Sequence, residues 1–275
     1  MKPERRSALA AALVAVLLLA LSYPTLRWLV NEWLTNDYYS HGWLVLPVSA
    51  YLAWRQWPKG DTTPANLGLI PLGVGLVAYL VALLSKAYFV AALALIVLLV
   101  GLVWLFLGTR ALRRLAFPLG FLVFMVPLPF VERASLPLQL LTGVCSTAVA
   151  RVVGVDATVK GAQVTLPNVD LVVGAQCSGL RSIVALFTLV AILVYVLDGP
   201  WWGRLLLVIS AVPVAILGNI VRVASLLWVA DTWGAGAGMT YYHDYSGAVF
   251  FLFAFALLIL LSRALRCREI RDDIF

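Results

Sequence analysis

Long apolar runs separated by short charged or turn-forming segments set the pattern of this chain. The runs fall at about 8–30, 42–54, 67–85, 88–107, 115–126, 178–197, 205–230 and 245–261. Most approach the roughly twenty residues a helix needs to cross a hydrocarbon core about 30 Å thick, so the pattern predicts eight transmembrane helices. The second run is short, but Trp43, Trp54 and Trp57 flank it as interfacial residues do. Ser85-Lys86-Ala87 leaves room only for a tight hairpin between the third and fourth runs, and Pro127-Leu128-Pro129 stops the fifth.

The segment 127–176 breaks the pattern with scattered polar and charged residues. Over 136–153, Gln139, Thr142, Ser146 and Thr147 recur at helical spacing, which predicts a helix lying in the interface. Over 157–173, Thr, Val and Leu alternate between turn signals at Lys160-Gly161 and Pro167-Asn168, which predicts two or three short strands. Open strands are not stable against lipid, so these must sit in water or against protein. The expected architecture is an all-α integral membrane protein, one polytopic domain over 1–275. Its outer-face subregion, 127–176, adds an interfacial helix and a short β segment between helices five and six.

Composition supports this. The chain is 63% hydrophobic with mean hydropathy +0.98, well beyond the apolar share of about 45–50% in soluble globules. The first run resembles a signal peptide, but its length and the lack of a small-x-small cleavage site predict an uncleaved helix. The net charge of +7 does not imply nucleic acid, because the basic residues lie in the loops. With the N-terminus in the cytoplasm, the inner segments hold 13 of the 20 Lys and Arg residues and the outer segments 4. That satisfies the positive-inside rule with both termini inside. Cys145, Cys177 and Cys267 have no metal-like spacing and the histidines are His41 and His243, so neither a metal nor another cofactor is expected.

Three groups that apolar helices rarely tolerate then stand out. Cys177, in Gly174-Ala175-Gln176-Cys177-Ser178-Gly179-Leu180-Arg181-Ser182, falls at the outer end of helix six. Arg222 lies eighteen residues beyond the inner Arg204, ~27 Å at 1.5 Å per residue, which brings it to the same surface. His243 follows the outer glycine-rich loop just before helix eight. A cysteine at a helix start should have its pKa lowered by the unpaired N–H groups there, and a nearby guanidinium adds to that. An arginine in a membrane costs about 2.5–3.5 kcal/mol on insertion scales, so it is kept where it has a task. A thiolate nucleophile, a histidine moving the proton and an arginine holding the oxyanion form a known type of catalytic set. Asn219, one turn before Arg222, would brace it or donate to the oxyanion.

Taken singly, a membrane cysteine is most often packing, an interfacial arginine snorkels and a loop histidine is solvated. The shared face of all three is what points to catalysis. Arg181 shares a helix face with Cys177 and either supports the thiolate or pairs with a carboxylate. His41 either lines the pocket or, the favoured reading, serves the start of a helix. Cys145 reads as packing, with a disulfide to Cys177 as the alternative, and Cys267 as inert.

At these residues the chain resembles the exosortase and archaeosortase family of polytopic membrane cysteine transpeptidases. The resemblance rests on Cys177-Ser178-Gly179-Leu180-Arg181-Ser182, on Asn219-Ile220-Val221-Arg222, and on His243 with Gly247. It extends to Tyr39-Ser40-His41-Gly42 and Pro127-Leu128-Pro129. It implies Cys177 as nucleophile with Arg222 and His243 as partners, supported by Asn219, Arg181, Ser178, Gly179 and His41. The implied partners are exported proteins with a C-terminal sorting tail: a short motif such as Pro-Glu-Pro, a membrane helix and a basic end. Cleavage through a thioester would end in hydrolysis or transfer to a surface acceptor, at the outer face of the cytoplasmic (inner) membrane. Two rival readings stay open, a polytopic transporter or export channel and a non-catalytic scaffold of a polysaccharide assembly system.

Overall fold

The computed structural model describes residues 3–58, 60, 62–234, 236, 242–271 and 274, and the side chains of all these except 3–15, 243 and 244. The chain forms two compact units, Met1–Pro127 and Leu128–Phe275.

The first unit is helical: α1 (Pro3–Thr35), α2 (Gly42–Arg55), α3 (Leu69–Leu84, preceded by a 3-10 turn Asn66–Gly68) and α4 (Tyr88–Phe121). The hairpin expected across Ser85-Lys86-Ala87 is present, with Tyr79, Ala82, Ala91, Ala94 and Leu98 buried along the α3/α4 contact. Buried polar atoms find partners there: the Tyr79 hydroxyl donates to the Leu21 carbonyl (2.7 Å), and Trp33 Nε1 to that of Met125 (2.8 Å). A basic loop was expected between the fourth and fifth runs, yet Arg110, Arg113 and Arg114 are helical. The break is one residue wide. Gly108 turns the chain at φ 82°, and the Thr63 carbonyl abuts the place where a side chain would begin, so a residue with a Cβ fits there on neither count. The two expected runs therefore join as halves of a kinked α4.

The second unit comprises α5 (Pro129–Arg133), α6 (Ser135–Val152), a three-stranded antiparallel meander, and α7 (Leu180–Val196), α8 (Trp201–Trp233) and α9 (His243–Ala264). The strands are β1 (Thr158–Lys160), β2 (Gln163–Leu166) and β3 (Val169–Val172), in the order β1-β2-β3. Their turns fall at the two anticipated places. Helices α7, α8 and α9 meet along Leu186, Val190, Leu207, Ala211, Ala254 and Leu258. A second core joins the sheet, the end of α6 and the far half of α8 through Val164, Leu171, Val173, Val223, Leu226 and Leu227, and Cys177 belongs to it.

At the opposite end of α7, two-residue strands β4 (Leu197–Asp198) and β5 (Glu269–Ile270) pair, and Arg204 bonds Asp198 at 2.7 Å. The chain after α9 is thereby tied to the α7/α8 turn.

Helix α6 is present, but its polar stripe faces inward. Thr142, Ser146 and Thr147 are buried, while Leu136, Leu140, Val144 and Val152 are exposed. The helix packs against α8, where the Thr142 hydroxyl accepts from Asn219 and Ser146 bonds back to the Gly143 carbonyl, and it turns its leucines and valines outward. Among the described residues four helical segments are long and apolar enough to cross a membrane: Asn66–Leu84, Tyr88–Met125, Trp201–Trp233 and Tyr245–Ala264, with Leu180–Val196 a shorter apolar helix. The protein is a predominantly helical, multi-pass membrane protein.

Candidate active site

The turn between β3 and α7 is built around Cys177. Gly174 is extended, Ala175–Cys177 forms one 3-10 turn, and the Cys177 N–H donates to the Gly174 carbonyl at 2.9 Å. Ser178 secures the next step: its hydroxyl donates to the Ala175 carbonyl (2.7 Å) and accepts from the Leu180 N–H (3.2 Å), satisfying a donor at the start of α7. Gly179 then takes φ 77°, and a Cβ there would lie 2.8 Å from the Asn219 side chain. A left-handed residue with a side chain costs about 1–2 kcal/mol before any clash is counted. Glycine is what lets this turn close against α8.

Asn219 is the residue it closes against. Nearly buried at 5% exposure, it donates from Nδ2 to the Cys177 carbonyl (2.8 Å) and to Thr142 Oγ1 on α6 (3.2 Å). Both amide hydrogens are engaged, so Asn219 braces the cysteine turn and offers no donor to an oxyanion. Orphaning a buried partner of this kind costs about 1–3 kcal/mol. Thr142 is a member that sequence reasoning did not place in the site, although it had marked the polar stripe to which Thr142 belongs.

One turn further along α8, Arg222 donates from Nε to Ser246 Oγ on α9 (3.1 Å), and its guanidinium lies against the bare face of Gly247. The same junction carries a second link, in which the Tyr242 hydroxyl donates to Ser225 Oγ (2.7 Å) and that hydroxyl donates to the Arg222 carbonyl (2.7 Å). Ser225, Tyr242 and Ser246 thus fix the start of α9 on α8. Beside Arg222 lies a small gap, about the size of one water molecule, lined by Ser182, Asn219, Gly247, Phe250 and Phe251 among others.

The thiol is 9% exposed. Burial pushes its pKa above the ordinary thiol value, and the Arg222 charge and a backbone hydrogen bond from Gly174 offset this in part. The lowered pKa expected from a helix start is therefore not what the structure gives. Cys177 sits outside the first turn of α7, three positions before Leu180, and loss of water outweighs the nearby positive charge. The thiol rests protonated at neutral pH and needs a base to become a nucleophile.

Cys177, Ser178, Gly179, Asn219 and Arg222 come together in the second unit. Arg181 is exposed on the first turn of α7, and the arginine whose charge acts on the thiol is Arg222. His243 opens α9 at the end that carries Ser246, and its side chain lies outside the described residues. His41 belongs to the first unit, where it precedes α2, stacks on Tyr39 at 6.0 Å and contacts the Phe124 carbonyl through Nε2 (3.2 Å). Cys145, Cys177 and Cys267 are all free thiols, so the alternative disulfide is not formed.

Residues 33–260, more than four-fifths of the chain, match the family described as transmembrane exosortase. No curated protein and no solved structure matches. With the motif residues of the cysteine turn and of α8 meeting in one place, and a family match across both units, the chain belongs to the transmembrane exosortase family.

Proposed function

We propose that this protein is a membrane-embedded cysteine protease/transpeptidase that removes the C-terminal sorting signal of exported proteins. The observation that carries the reading is the 2.8 Å bond from Asn219 to the Cys177 carbonyl, one helical turn from the guanidinium that favours the thiolate. A solitary packing cysteine has no use for that arrangement.

In this reading His243 takes the proton of the Cys177 thiol as sulfur adds to the scissile carbonyl. Arg222 holds the negative charge that develops on the carbonyl oxygen. The C–N bond then breaks, the leaving amine takes the proton back from His243, and the exported part stays on sulfur as a thioester. Water or a surface acceptor attacks the thioester and loses a proton to His243, the C–S bond breaks, and the departing sulfur takes that proton to restore the thiol.

The site lies on the outer face of the cytoplasmic membrane, in a chain of eight spans with both ends inside. Two features support this topology: the concentration of 13 of 20 basic residues in the inner segments, and the β4/β5 pairing that ties the chain after α9 to the α7/α8 turn, away from Cys177. A site there meets the junction between an exported domain and its membrane anchor.

The test is co-expression of the protein with a tailed substrate, reading the substrate's new C-terminus by mass spectrometry. Cys177→Ala and Cys177→Ser, present in the membrane at wild-type level, are expected to leave the tail attached. Unchanged processing in these variants would transfer the case to a transporter or scaffold.

A further inference from the structure

The meander has two edges, and they are finished differently. Val173 N–H donates to the Ala162 carbonyl at 2.8 Å, and the β2/β3 register continues as Val164 with Leu171 and Leu166 with Val169. In an antiparallel ladder the bonded residues alternate. Residues 169, 171 and 173 thus bond to β2, and the backbone groups of Asp170 and Val172 point away from the sheet. On the other side, the Lys160/Gln163 pair closes the β1/β2 hairpin, so Ala157 and Val159 are the outward-pointing positions of β1.

That β1 edge is engaged by α6: Arg151 donates from Nε to the Ala157 carbonyl (2.6 Å), and Ala157 is fully buried. The β3 edge is open. Asp170 is exposed, Val172 is 65% exposed, and among the described residues neither has a backbone partner on that side. An uncovered row of N–H and C=O groups is a template for another strand, and proteins usually blunt it. Here one edge is blunted and its neighbour is left.

The open edge also leads to the thiol. The next outward position after Val172 is Gly174, still extended, with open space where a side chain would stand. Its backbone serves Cys177 directly, its carbonyl accepting the Cys177 N–H at 2.9 Å. Asp170, Val172 and Gly174 follow one another at roughly 6.6 Å, the two-residue repeat of a strand. One 3-10 turn after Gly174 the chain reaches Cys177, which packs with Leu171 and Val173 in the core.

We propose that the β3 edge receives the substrate polypeptide as an added strand, an extended segment next to the scissile bond that pairs with the backbone of Asp170 and Val172 and is thereby led to Cys177. This rests on the reading of Cys177 as nucleophile and names how that site holds its substrate. Main-chain pairing supplies the hold, and side chains at alternate positions supply the choice.

The test is binding, measured on Cys177→Ala protein in nanodiscs so that no chemistry is needed. The probe is a fluorescent synthetic peptide spanning the processed junction of a tailed substrate, with single backbone N-methyl groups placed along it in turn. The expected profile alternates: N-methylation at every second position weakens binding about ten-fold, as loss of a backbone hydrogen bond and the added bulk require, and the positions between change it by less than about three-fold. Val172→Pro removes an edge N–H that the ladder does not use, and is expected to weaken the unmodified peptide by a similar factor. In the protein that retains its cysteine, Val172→Pro should leave the Cys177 alkylation rate within about two-fold. A flat N-methyl profile, or full affinity in a Val172→Pro protein with normal alkylation, overturns the proposal. Processing that survives Cys177→Ala would remove the nucleophile reading, while an alternating binding profile would still stand by itself.

Discussion

The second unit holds two buried thiols at opposite ends of the same helices. Cys177 and Cys267 are each almost inaccessible, burial raises the pKa of each, and an arginine opposes that rise in each case. The difference lies in what surrounds them. Cys267 sits against the backbone of Gly199 and Gly203, and its arginine, Arg204, is bonded to the carboxylate of Asp198, which itself raises the thiol's pKa. Cys177 has its carbonyl held by a buried amide, and Arg222, whose charge lowers the thiol's pKa, also donates to the Ser246 hydroxyl on α9. One thiol is packing in a latch between the α7/α8 turn and the chain after α9. The other lies in a turn tied to α8 by Asn219.

The largest effect expected from this contrast is on turnover. Cys177→Ala should lower processing of a tailed substrate below detection, and Cys267→Ala should leave it within about two-fold, both read by immunoblot of converted substrate at matched protein levels. Arg222→Lys comes next. A point charge replaces a planar fork that reaches both Ser246 and the site, so the rate should fall about 10²-fold with KM little changed. Near-normal kcat in this variant would count against oxyanion stabilisation.

Asn219→Ala should lower processing by about ten-fold to a hundred-fold and stability by about 1–3 kcal/mol, the value of a buried amide that leaves the Cys177 carbonyl and Thr142 unsatisfied. Thermal unfolding in detergent and single-turnover rates separate the two effects. If only stability falls, the brace is structural. Gly179→Ala tests the same turn from the other side. It should destabilise by at least about 1–2 kcal/mol, because a Cβ there must adopt a left-handed backbone and displace Asn219.

The smallest effect is on thiol titration. Because burial raises the Cys177 pKa and Arg222 lowers it, iodoacetamide alkylation of Cys177 should keep rising at pH values where an exposed thiol, with pKa about 8.5, has levelled off. Arg222→Gln removes a charge that favours the anion and should move the Cys177 profile further up. Cys267, whose arginine is Arg204, should not move. Equal displacement of both profiles would mean a global change rather than a local field.

Hydropathy and turn chemistry revealed much of this architecture because they act locally. The β1/β2 and β2/β3 turns were marked by Gly161 and by Pro167-Asn168, and α7, α8 and α9 by long apolar runs. What stayed hidden depends on contacts distant in sequence. Nothing around Gly108 says that one residue would replace a basic loop, since that follows from the Thr63 carbonyl packed against it. The polar stripe of α6 was visible, but not its direction, because in a membrane protein hydroxyls turn to protein as readily as to water. The same blindness hid Thr142. The Cys177 pKa was misread for a related reason: a helix start is visible in sequence, whereas the burial that outweighs it comes from the core around Val223 and Leu226. Strands β4 and β5 are two residues each, too short to leave a periodicity.

The most direct measurement is of the bond on sulfur. Purified protein mixed with a tailed substrate, quenched in acid and digested, should yield an acyl adduct on the peptide that contains Cys177, sensitive to hydroxylamine, with the Cys145 and Cys267 peptides unmodified. Substrate conversion with no adduct on any cysteine, undiminished in Cys177→Ala, would contradict the account.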